Sequence, residues 1–146
     1  MSDNANRLNW RSLCQWQQIS EGFASEFSHL IHWGDLCERN QLSESLLQAN
    51  TDRLEWCSLW GRQSLSEAFI RKNIDEVRWM VIGRTQKLSE SFIKEYAKRL
   101  EWDDICQFQV LSEPFIRANA HRVHWLHIFL FQHVSDDFKR EFADTI

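Results

Sequence analysis

A tryptophan returns every 23 residues along this chain, at Trp10, Trp33, Trp56, Trp79, Trp102 and Trp125. Ten residues after each stands a serine (Ser20, Ser43, Ser66, Ser89, Ser112, Ser135), and an acidic residue follows each serine (Glu21, Glu44, Glu67, Glu90, Glu113, Asp136). A fixed period of this kind means one supersecondary unit repeated, each copy too small to bury its apolar face without its neighbours. The sequence therefore divides into a polar lead-in at residues 1–7 and a single repeat domain of six units at 8–146.

Within a unit, counting from the tryptophan as zero, Leu or Ile stands at +3 (Leu13, Leu36, Leu59, Ile82, Ile105, Ile128). Position +4 is mostly apolar (Cys14, Cys37, Trp60, Gly83, Cys106, Phe129), and +7 is always an amide (Gln17, Asn40, Gln63, Gln86, Gln109, Gln132). Spacing of 0, 3, 4 and 7 lines one face of a helix about two turns long. An aliphatic residue at +9 precedes the serine. Ser followed by a carboxylate predicts a second helix start, with the hydroxyl accepting from a free backbone N–H and the acid set against the positive helix end. That second helix carries Phe or Leu at +13, an apolar +14 broken only by Lys139, and an aliphatic +21 running from Ile31 to Ile146. Pro114 falls in the first turn of its helix, where a missing N–H costs nothing. The prediction is an all-α solenoid of six helix–turn–helix repeats. A leucine-rich repeat has a similar period but needs an LxxLxL strand, which the sequence lacks.

The bulk numbers exclude several classes. Net charge is −4, with 8 basic and 11 acidic residues up to Arg78 and 9 and 10 after it, so neither half is a basic arm or an acidic tail. No stretch reaches the run of about 18 apolar residues that a membrane span needs. The polar start lacks the apolar core of a signal peptide. The four cysteines form no CxxC pair, and Cys14, Cys37 and Cys106 share the apolar +4 column, as buried reduced thiols in a cytoplasmic setting would. A Cys14–Cys37 crosslink between neighbouring units is the alternative.

The phrases LSEAFI at 65–70, LSESFI at 88–93 and LSEPFI at 111–116 resemble short LSE-x-F-I helical repeats of bacteriophage and giant-virus proteins, mostly of unassigned function. The resemblance covers residues 8–146 and brings over no catalytic residue. It implies a viral or mobile-element origin, a host-cytoplasmic location, and a small binding protein that acts on host machinery. The first unit (Gly22, Ala24) and the sixth (Asp137, Lys139) depart from the pattern as end units would.

Invariant columns are expected in the core, caps and turns, so recognition falls to the variable ones. Position +6 reads Trp16, Arg39, Arg62, Thr85, Phe108 and Phe131, the aromatic and guanidinium mixture of protein hot spots. In the segment Trp125–Val134, core periodicity leaves Leu126, Leu130 and Phe131 unassigned, and apolar side chains without a core role mark interfaces. The expected protein-binding residues are therefore Trp16, Arg39, Arg62, Phe108, Leu126, Leu130 and Phe131. The expected partner is a host protein that the module binds and inhibits, with homo-oligomerisation through the C-terminal repeat as a further possibility. Position +15 supplies the alternative, a basic row of Arg71, Lys94, Arg117 and Arg140 suited to nucleic acid. A ladder of the six acidic residues could also imitate a phosphate backbone, although their place at helix starts already has a structural account. His121, His124 and His127 cluster, but no cysteine or carboxylate completes an obvious site, and neither metal nor cofactor is expected. No nucleophile–base set or glycine-rich phosphate loop appears, and the chain reads as a non-enzyme.

Overall fold

The computed structural model describes residues 7–145, so Ile146 and residues 1–6 of the lead-in lie outside the described residues. The described chain is all-α with a repeat of about 23 residues, as the periodicity predicts, and it contains no strand. The first three pairs are α1 (Trp10–Trp16) and α2 (Glu21–Glu26), α3 (Trp33–Arg39) and α4 (Glu44–Ala49), α5 (Trp56–Arg62) and α6 (Glu67–Lys72). The remaining pairs are α7 (Trp79–Thr85) and α8 (Glu90–Glu95), α9 (Trp102–Phe108) and α10 (Glu113–Ala118), α11 (Trp125–Phe131) and α12 (Asp136–Glu141). The chain divides into two compact units, one ending at Leu65 and the other beginning at Ser66.

Every first helix starts on its tryptophan, and every second helix starts on the acidic residue after its serine. In all six second helices the serine hydroxyl accepts from the backbone N–H at +13, as from Phe69 to Ser66 and Phe115 to Ser112. The connection between the two helices is extended at +7 and +10, with no positive φ among the described residues. Such a turn asks nothing of glycine, and no glycine column exists.

Helices of six and seven residues cannot hold together alone; packing against neighbours stabilises them. The columns at +3, +9, +14 and +21 form the core: Leu36, Leu59, Ile82, Ile105 and Ile128 are fully enclosed at +3, as are Leu47, Ile70, Ile93 and Ile116 at +14. Lys139 occupies the +14 position exposed. The invariant tryptophans depart from the expectation of a plain core. Trp33 is buried, but the other five are half-buried. Arg99 covers Trp79 at 4.9 Å and Arg122 covers Trp102 at 5.9 Å, while the aromatic +17 residues Tyr96 and Phe142 lie 5.0 and 4.5 Å from Trp79 and Trp125.

Polar columns tie one repeat to the next. In the unit from Ser66, the Gln109 amide donates to the carbonyls of Gly83 and Gln86 at 2.7 Å each and accepts from Leu88 N–H at 2.9 Å. Gln132 repeats this on Cys106, Gln109 and Leu111. In the unit ending at Leu65, Gln63 does the same to Cys37, Asn40 and Leu42. Each glutamine thus holds the turn of the repeat before it. Asn40 is one methylene shorter, and its Nδ2 donates instead to Leu36 of its own helix.

Candidate functional site

The acidic column is not a free ladder. Glu21 accepts from both the backbone N–H and the hydroxyl of Ser43, one repeat downstream. In the second unit Glu67, Glu90 and Glu113 accept from the N–H of Ser89, Ser112 and Ser135. Glu21, Glu67, Glu90 and Glu113 each lie in the first turn of their own helix, as expected, and also accept from the serine that starts the second helix of the next repeat. The Ser43 and Ser135 donors hold the carboxyls of Glu21 and Glu113 below the ordinary glutamate range. Burial pushes the Glu67 carboxyl up, but the donors from Ser89 and Arg71 outweigh it and the net direction is down.

Three of the four residues in the basic row are ion-paired, and two of them pair across repeats. Arg71 bridges Glu67 at 3.2 Å and Glu95 at 2.9 Å while lying 4.8 Å over the Phe92 ring. Arg117 bridges Glu113 at 3.5 Å and Glu141 at 2.8 Å and lies 4.7 Å over Phe138. Arg140 pairs with Asp137 at 2.6 Å. Among the described residues Lys94 alone of the four makes no ion pair; it lines a concavity of about 370 Å³ with Glu95, Lys98, Arg99 and Arg122. The cause is register. The position one repeat downstream of +15 and one residue on holds Glu95 and Glu141 for Arg71 and Arg117, but Ala118 for Lys94.

The aromatic column falls into two sets, one in each unit. In the unit ending at Leu65, Trp16 is 72% exposed, with the Arg39 guanidinium 5.5 Å from its ring centre. Arg62 is exposed at the end of α5, and the Gln41 amide donates to its carbonyl at 2.7 Å. Trp16 and Arg39 are thus brought together as a cation–π pair.

In the unit from Ser66, Phe108, Leu126, Leu130 and Phe131 are all exposed, Leu130 at 64%. Leu126 and Leu130 are four apart on α11 and share a face. Helices α9 and α11 pack side by side, which sets Phe108 and Phe131 at the same register on adjacent repeats. Val110 is also exposed, and with Phe108, Arg84, Thr85 and Lys87 it lines a groove of about 440 Å³. Met80 is exposed on α7. Nothing in the repeat packing buries these side chains, so their surroundings suit an apolar partner more than a solvated face.

The histidines also gain a neighbour that the linear sequence hides. Asp103 on α9, His124 at the N-cap of α11 and His127 on α11 each offer a ligand atom, and these atoms lie within 4.8 Å of one another. The two imidazole rings are 4.2 Å apart. His121 instead accepts from Arg122 at 3.0 Å. The signal was available in the stacking offset: residues 24 apart meet across repeats, as Arg71 meets Glu95 and Asp103 meets His127.

The cysteines are all free; Cys14, Cys37 and Cys106 are buried and Cys57 is exposed, so the Cys14–Cys37 crosslink is not formed. Burial pushes the Cys37 thiol up to about 12, in the direction of an inert structural thiol. No helix among the described residues is long and apolar enough to cross a membrane. No family model matches this sequence, and neither the curated proteins nor the solved structures compared with it gave a match.

Proposed function

We propose that the chain is a non-enzymatic helical-repeat module that binds a protein through the apolar face of α9 and α11. One observation carries this reading: Phe108, Leu126, Leu130 and Phe131 stand exposed on two adjacent helices whose other apolar side chains are buried or half-buried. The core needs none of the four, and aromatic anchors of this kind dominate binding energy when a partner desolvates them. The neighbouring groove adds chemistry to the partner. Phe108 and Val110 line it together with the cations Arg84 and Lys87, which suits an apolar side chain flanked by carboxylates. In this proposal the partner is a host protein, inhibited by occlusion of its surface in the host cytoplasm, a reading supported by the resemblance of LSEAFI, LSESFI and LSEPFI to phage and giant-virus repeats. The Trp16–Arg39 pair and Arg62 form the second candidate contact set.

The test is affinity capture from host lysate with wild type, Phe131→Glu and Leu130→Glu, each with and without nuclease. A stoichiometric protein that survives nuclease and is lost with either substitution supports the reading. Retention of that protein by both variants removes the α9–α11 face. Loss of all bound protein on nuclease treatment replaces the reading with nucleic-acid binding through Lys94 and its neighbouring cations. Light scattering on the same variants decides whether the partner is a second copy: a concentration-dependent dimer abolished by Phe131→Glu would establish self-association.

A further inference from the structure

We propose that Asp103, His124 and His127 form a binding site for a zinc-class transition metal, bridging α9 to α11 in the last two repeats. It does not rest on the docking reading, although Phe131 of that face packs against His127. Two imidazoles and a carboxylate are the ligand set that such ions take, and three protein ligands leave a fourth position for water or another donor. Ligand atoms on a tetrahedral zinc lie about 3.3 Å apart, as bonds of roughly 2.0–2.1 Å require. The three ligand atoms here lie within 4.8 Å of one another, so binding requires them to draw together around the ion.

The supporting structure around the three groups is that of a positioned site. His127 Nδ1 lies 3.2 Å from the Asp103 carbonyl oxygen. In the tautomer that donates from Nδ1 to this carbonyl, Nε2 keeps its lone pair for an ion. Phe131 packs edge-on against the His127 ring at 5.7 Å and limits its rotation. The His124 backbone N–H donates to Cys106 Sγ at 3.4 Å, which holds that residue against α9.

The same register at the junction of the first two repeats makes the contrast. There the equivalent positions hold Arg11, His32 and Asp35, and Asp35 pairs with Arg11 at 3.4 Å and with His32 at 3.7 Å. A resident guanidinium supplies the positive charge at that junction. At the junction of α9 and α11 the arginine position is Asp103, which makes no ion pair, and the aspartate position is His127. Three donor groups converge without a cation among them, and a divalent ion supplies what Arg11 supplies at the first junction.

The experiment is calorimetric titration of zinc sulfate into the untagged full chain in a Cys57→Ser background, which removes the exposed thiol. Cobalt(II) absorption serves as the coordination probe. Wild type is expected to bind one zinc at micromolar concentration, with a raised unfolding midpoint when saturated, because the ion binds the folded state. Asp103→Asn, His124→Asn and His127→Asn should each weaken binding at least ~10-fold, as loss of a metal ligand does. His32→Asn should leave it unchanged. Where His127→Asn fails to fold, the exposed His124 and Asp103 variants carry the test. Absence of saturation below about 1 mM, or unchanged affinity in the His124 and Asp103 variants, would overturn the proposal.

Discussion

Gln109 Nε2 lies 2.7 Å from the carbonyl oxygen of Gln86, the residue that occupies its own position one repeat earlier. One side chain thereby uses both amide protons and its oxygen on the preceding turn. This triple bond set, repeated at Gln63 and Gln132, is what turns separate helix pairs into stacks.

Replacement of Gln109 by leucine leaves Leu88 N–H and two carbonyls without their partner in a buried position. The cost expected from stranded buried polar groups is about 1–3 kcal/mol. Gln17 is exposed and makes no such clamp, and Gln17→Leu should change stability by less than about 0.5 kcal/mol. Urea unfolding of the two variants measures the difference. Equal midpoints would show that the clamp is ornamental.

Acid should loosen the junctions between repeats. The carboxyls of Glu21 and Glu113 are held down by the Ser43 and Ser135 donors, so their folded values lie below the ordinary one near 4.5. A lowered folded value means stability is complete above the ordinary value and is lost as pH falls through the folded value. The urea midpoint should hold from pH 7 to about pH 5 and fall below it. The Glu21→Gln, Glu113→Gln double variant should start lower at pH 7 and fall less steeply. A slope equal to wild type would assign the acid sensitivity to other groups.

Arg117 and Lys94 share a column but not a role. Arg117→Ala removes the Glu113 and Glu141 bridges and uncovers Phe138, whereas Lys94→Ala removes no ion pair. The urea midpoint should drop for Arg117→Ala and stay within error for Lys94→Ala. If nucleic acid binds at all, its affinity should depend on Lys94 more than on Arg117, and filter binding at low salt measures it.

Thiol reactivity should follow burial. One thiol per native chain, Cys57, is expected to react rapidly with an aromatic disulfide at pH 8, and Cys14, Cys37 and Cys106 only after unfolding. A Cys57→Ser chain that still shows a fast thiol would contradict the buried +4 column.

Much of this was readable from the period alone. Trp, Leu or Ile, amide, Ser and acid recur at fixed offsets, and those offsets place both helices of each pair and the caps at Ser20 through Ser135. The exposure of Leu126, Leu130 and Phe131 was legible as a residue of that arithmetic, since the core stripe had no use for them. Two positions misled. The tryptophan column looked like core, yet five of the six indoles are only half-buried. The basic row lies at the surface as expected, yet Arg71, Arg117 and Arg140 are each ion-paired there instead of standing free for nucleic acid.

The sequence by itself determined the repeat, its helices and their caps, because these depend on neighbours within a few residues along the chain. Only the tertiary structure decided which side chains of one repeat meet which of the next. Arg71 with Glu95, Glu113 with Ser135, and Asp103 with His124 and His127 are all about one period apart. Whether such residues touch depends on how one helix pair is offset against the next, which a one-residue change in stacking register would alter without changing any local pattern.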